Sequence, residues 1–252
     1  MSNLQEKTMT NRDKFEHDIT ALTDQLTTDI VKEDAKVKLI ALKERLLQLQ
    51  KENVVKINHS VMELVCAKYL IQKGYDVQLE YVLNDILTCD LFSTKGYGNL
   101  IVEIETGFIP PDHALDPLTY LSARLASKII RYSSFAGKFA LGVPPHYVLH
   151  FPRALSSPPR RRTVEDIAFI KELCDTYYQN PPVTEEEIRN ARIQEIYIID
   201  VDRAKVLEID PEAYMKRALH KEFAFALESE KESKPTKITT LFDYEEKFQG
   251  TT

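Results

Sequence analysis

Apolar residues near the start of the chain recur every three or four positions: Phe15, Ile19, Leu22, Leu26 and Ile30, then Leu39, Leu42, Leu46 and Leu49 after the charged stretch KEDAK. That spacing marks one face of an α-helix, and neither proline nor glycine interrupts residues 12–56. The pattern predicts an N-terminal helical arm over residues 1–56. Its stripe can be satisfied by a coiled-coil homodimer or by packing on the chain's own domain, and both readings stand at this level.

A third helix, NHSVMELVCAKYLIQK (58–73), stops at Gly74. The periodicity then changes to two over YDVQLEYVL (75–83), LTCDLF (87–92) and LIVEIET (100–106), which predicts three strands. KGYGN between the last two is hairpin-turn chemistry. DPLTYLSARLASKIIRYSSF (116–135) opens as a helix with Asp then Pro, and KFALGV (138–143) reads as a buried strand. Further on lie a helix over 164–179, a hairpin over 194–210 turning near Asp202–Arg203, one more helix, and a flexible charged tail over 229–252. The order predicts an α/β domain with a mixed central sheet over residues 57–228.

Composition narrows the class. A hydrophobic share of 43% with 29% charged residues suits a water-soluble domain, and no apolar run is long enough to span a membrane. The polar N-terminus does not read as a signal peptide, and Cys66, Cys89 and Cys174 lack CxxC spacing. A cytoplasmic protein with free thiols is the expectation. Seven glycines and no Gly-rich loop argue against a nucleotide-binding Rossmann or P-loop unit, and no nucleophile elbow supports serine-hydrolase chemistry. A net charge of −6 leaves room for an acidic metal site with a basic rim.

The hairpin carries the candidate chemistry. With Lys95 opposite Gly98, facing residue numbers sum to 193, so Asp90 stands opposite Glu103 and Glu105 follows on the same face. Thr88, Phe92 and Ile101 share that face, while Leu87, Cys89, Leu91, Leu100, Val102 and Ile104 form an apolar one. Like charges opposed in a ladder repel, and a hard divalent ion, Mg2+ or Mn2+, would compensate them. A solvated strand face is the plainer alternative. Glu63, among Val61, Met62, Leu64, Val65 and Cys66, is costly to bury unpaired, and His59 falls one turn earlier on the same side.

Glu63 on a helix, Asp90 on the second strand, IVEIET on the third, and the order helix, three strands, helix, strand over about residues 55–145 resemble the PD-(D/E)XK (restriction-endonuclease-like) nuclease superfamily. The resemblance implies an αβββαβ core and a metal-dependent nuclease (hydrolase) that acts on DNA in processing, repair or defence. It makes Glu63, Asp90 and Glu103 metal ligands, with Asp90 and Glu103 also catalytic. Glu105 stands where the superfamily usually has a lysine, and Lys128 on the following helix is the candidate replacement. Arg124, Lys128 and Arg131 form a basic stripe on that helix. A catalytically inactive DNA-binding or protein-assembly module of the same fold is the alternative reading.

Two further segments invite partners. Arg153, Arg160, Arg161 and Arg162 concentrate basic charge in the Pro/Ser-rich loop 152–162, a candidate phosphate contact. KITTLFDYEEKF (237–248) is similar to the sliding-clamp-binding peptides of DNA repair and replication enzymes, with Leu241 and Tyr244 at the anchor positions.

Overall fold

Six strands form one open mixed sheet in sequence order: β1 (Asp76–Val82), β2 (Thr88–Lys95), β3 (Gly98–Ile104), β4 (Lys138–Val143), β5 (Glu195–Asp200) and β6 (Lys205–Ile209). The structure, a computed structural model, describes residues 11–219. Short turns make β1, β2 and β3 antiparallel neighbours. Helix α4 (Pro117–Tyr132) crosses over between β3 and β4, which are therefore parallel. The longer excursion through α5 (Val164–Tyr177) and α6 (Glu185–Asn190) brings β5 in parallel to β4, and the β5–β6 hairpin closes the sheet before α7 (Pro211–Leu219).

Helices α1 (Asn11–Thr28), α2 (Glu33–Lys51) and α3 (Ile57–Gln72) cover one face of the sheet. Ile19, Leu26, Leu39 and Leu46 are fully buried there, in one cluster with Leu70, Val102 and Tyr197. The stripe that could have served a coiled-coil seam is thus turned onto α3 and the sheet of the same chain. The other face packs Ile101, Phe139, Leu141 and Ile198 against Leu125 and Ile129 of α4 and Ile167 and Ile170 of α5.

With both faces covered, the middle strand β3 is buried from Leu100 to Ile104, the near-continuous burial expected of a central strand. The two-faced hairpin of the sequence reading needs one correction here. Cys89 does not join Leu91 on the α3 side but packs in the cluster of Ile101 and Ile129. The strand alternation breaks between them, beside Glu80, whose φ of +48° is outside the β region.

The sequence pattern does not announce α6, whose TEEE start supplies a capping box from Thr184 and Glu187. Cys66, Cys89 and Cys174 are buried free thiols. No described helix is long and apolar enough to cross a membrane.

Candidate metal centre

The β2–β3 ladder runs from Lys95↔Gly98 to Leu91↔Val102, the register in which facing numbers sum to 193. One step further, Asp90 and Glu103 would be opposed, and there the main-chain ladder gives way to side chains. The Asp90 amide donates to Glu103 Oε1 (3.1 Å) and the Ile104 amide donates to Asp90 Oδ2 (2.5 Å). Each carboxylate takes an amide from the opposite strand. That charge-assisted bond offsets part of the repulsion between them.

Two sets of groups meet at this end of the sheet. From the α4 side, Lys128 Nζ lies 2.9 Å from Glu103 Oε2 and 2.6 Å from Glu105 Oε1. Arg124, one turn earlier, approaches Glu105 Oε2 (3.3 Å) and donates to the Phe108 carbonyl (3.2 Å). From the α3 side, His59 Nδ1 lies 3.8 Å from Glu63 Oε1 and 4.0 Å from Asp90 Oδ1. His59, Glu63 and Asp90 each offer one donor atom within 4.8 Å of the others.

The α3-side trio has a donor set that could hold a divalent cation. Ligands around one octahedral ion at ~2.1 Å lie about 3–4.2 Å apart, and the two His59 separations fall in that range. Glu63 is fully buried, and neither of its oxygens has a hydrogen-bond partner. An unpartnered buried carboxylate is expensive, and a coordinated cation removes the expense.

The protonation pattern agrees. Burial lifts the Glu63 carboxyl to about 7, with His59 pulling the other way. Burial and the neighbouring Asp90 lift Glu103 to about 8 against the opposing effect of Lys128. Burial, then Glu63 and Asp90, also lift Glu80 to about 7. For His59, burial works against the charged ring, but Glu63 and Asp90 outweigh it and its pKa rises. Lys128 likewise resists burial, held well above its ordinary value by Glu103 and Glu105.

The structure redistributes the residues expected from sequence. Glu63 and Asp90 fall in the ligand trio; Glu103 does not, and its oxygens lie against the Asp90 amide and Lys128. His59 takes the third place, and its spacing of four from Glu63 was the available signal. Glu80 joins the acidic surroundings through pairing that brackets it. Leu79 faces Leu91 and Tyr81 faces Cys89, so Glu80 sits beside Asp90.

The basic residues depart further from the expected arrangement. Arg124 and Lys128 turn inward onto glutamates, so they are not an outward phosphate stripe. Arg131, at the far end of α4, donates to the Pro181 carbonyl (2.5 Å). Arg162 is buried and donates to the carbonyls of Ala154, Ile188, Arg189 and Ser157. A guanidinium so engaged holds its loop to α6, with four of its five N–H donors spent on backbone carbonyls. Arg153, Arg160 and Arg161 are exposed, with Arg161 3.4 Å from Glu212. Leu241 and Tyr244 of the clamp-like peptide lie outside the described residues.

Comparisons of the chain with protein-family models, with curated proteins and with solved structures find no match. The class defined by fold and site is therefore a mixed α/β protein with an acidic, histidine-containing candidate metal centre at one end of its sheet.

Proposed function

We propose that this chain is a divalent-metal-dependent nuclease that hydrolyses phosphodiester bonds in DNA on a restriction-endonuclease-like αβββαβ core. The observation that carries the reading is the convergence of His59, Glu63 and Asp90 beside the Glu103–Lys128 pair, with Glu63 buried and no hydrogen bond to either of its oxygens. The order α3, β1, β2, β3, α4, β4, with β3 and β4 parallel, agrees with that core.

An imidazole donor beside two carboxylates suits Mn2+ well and Mg2+ less well. A cation bound there would lower the pKa of a coordinated water and polarise the scissile phosphate. The protein's part is to give up the Glu63 proton, orient Asp90 through the Ile104 amide, and present Lys128. An ammonium has three donors, and Lys128 directs two of them at Glu103 and Glu105. The third can hold the attacking water or a phosphoryl oxygen.

A second reading, a catalytically silent DNA-binding or assembly module, draws on the same charge network. Lys128 and Arg124 balance Glu103 and Glu105 without any ion. One experiment separates the two: incubation with Mn2+ and a panel of single-stranded, duplex and branched DNA. Cleavage is expected, reduced about a hundredfold or more in Asp90→Ala and Glu63→Gln. Full activity in either variant rejects the assignment, and DNA binding without cleavage favours the silent module.

A further inference from the structure

The two sides of the acidic cluster differ in how their carboxylates are compensated. On the α4 side, Glu103 Oε1 accepts from the Asp90 amide (3.1 Å) and Glu103 Oε2 lies 2.9 Å from Lys128 Nζ. Glu105 Oε1 is 2.6 Å from the same ammonium, and Glu105 Oε2 is 3.3 Å from Arg124. Two glutamates thus face two cations, and that side has no surplus negative charge to attract another ion. On the α3 side, Glu63 and Asp90 share only the His59 ring, 3.8 Å and 4.0 Å away, and neither Glu63 oxygen has a hydrogen bond.

Hydrolytic centres with two ions hold them about 3.5–4 Å apart. Ions that close share a carboxylate, and Asp90 is the one that borders both sides. Its Oδ1 turns to His59 and its Oδ2 accepts from the Ile104 amide, beside Glu103. A second ion would therefore belong between Asp90, Glu103 and Glu105. An ion ~2.1 Å from Glu103 Oε2 and Glu105 Oε1 would need the position that the ammonium already holds. Swinging Lys128 away would strand both glutamates, whose side chains are 3% and 0% exposed.

We propose that Lys128 fills the place of a second ion, so that the centre is mononuclear. One divalent ion sits on His59, Glu63 and Asp90, and the Lys128 ammonium is the fixed second cation beside it. The proposal rests on the metal-centre reading and concerns its ion count, whether or not DNA is cut.

The test is a Mn2+ titration of the full chain, with free Mn2+ read from its electron paramagnetic resonance signal. The parent is expected to bind one ion and Lys128→Ala two, because Glu103 and Glu105 then face Arg124 alone. Adding Glu103→Gln to Lys128→Ala should return the count to one, which separates the second ion from weak surface binding. Glu63→Gln should remove the parent's ion. Mn2+ should also raise the melting temperature of Lys128→Ala by more than that of the parent. Thermal melting shows whether Lys128→Ala is folded. Lys128→Gln, which keeps more of the stem without the charge, replaces it if it is not. Two ions on the parent, or a count that stays at one in folded Lys128 variants, overturns the proposal. No ion on the parent overturns it together with the metal reading. Two ions on a parent that cuts DNA reject the ion count alone. One ion on the parent and two on Lys128→Ala, with no cleavage of any DNA, support the proposal while the catalytic reading falls.

Discussion

Glu63 is fully buried on α3 between Met62 and Leu64, with no hydrogen-bond partner for either oxygen. Burial lifts its carboxyl to about 7, against ~4.3 in an unfolded chain. Because the folded value is the higher one, the stability contributed by the protonated form is complete below the unfolded value. It is then lost as pH rises through about 7. Glu80 is raised in the same sense and adds to the slope. In EDTA the melting temperature should therefore fall between pH 5 and 8. Glu63→Gln should flatten part of that fall, by about 3 kcal/mol at most. Mn2+ should raise the melting temperature of the parent at pH 8 and leave that of the variant nearly unmoved. Identical pH slopes for parent and variant would remove Glu63 from the account.

At the scale of elements, α4 is joined to β3 by charge as well as by its apolar stripe. Leu125 and Ile129 pack into the core under Ile101, while Lys128 and Arg124 close over Glu103 and Glu105. A buried ion pair adds little net stability over an apolar replacement, but removing one partner strands the other. Lys128→Met should therefore cost about 3–5 kcal/mol in urea denaturation at neutral pH. Adding Glu103→Gln to Lys128→Met should restore part of the loss, since it removes one of the two stranded carboxylates. A loss below about 1 kcal/mol would mean that the ammonium behaves as an exposed surface charge. The loop before α5 is held differently, by the Arg162 guanidinium on four backbone carbonyls. That takes one of the loop's four arginines out of the solvent-facing set, while Arg153, Arg160 and Arg161 stay exposed.

At the scale of the molecule, the sheet divides the described residues into a layer of three helices on one side and four on the other. The α1–α2 pair completes the α3-side layer, with Leu46 fully buried in the same cluster as Leu70 and Val102. Leu46→Ala should destabilise the entire domain by about 2–5 kcal/mol. Its melting temperature should stay independent of protein concentration, because the stripe is buried within one chain. A melting temperature that rises with concentration would return the stripe to an interface between copies.

Local pattern was enough for most of the elements. Helical and strand periods placed α1 to α4 and β1 to β4, and the KGYGN turn set the β2–β3 register from Lys95↔Gly98 to Leu91↔Val102, one step short of Asp90 and Glu103. These are properties of neighbours in the chain, where side-chain direction follows from a period of 3.6 or 2. Partnership across elements was not legible in the same way. Sequence could not tell that His59 would complete the trio with Glu63 and Asp90, that Lys128 and Arg124 would turn inward, or that Arg162 would be consumed by carbonyls. Nor could it choose between an intermolecular and an intramolecular home for the α1–α2 stripe. Each of these is settled by which surfaces come to face each other when α3 and α4 pack on opposite sides of one sheet. A one-dimensional pattern encodes which face is apolar, but not what that face meets.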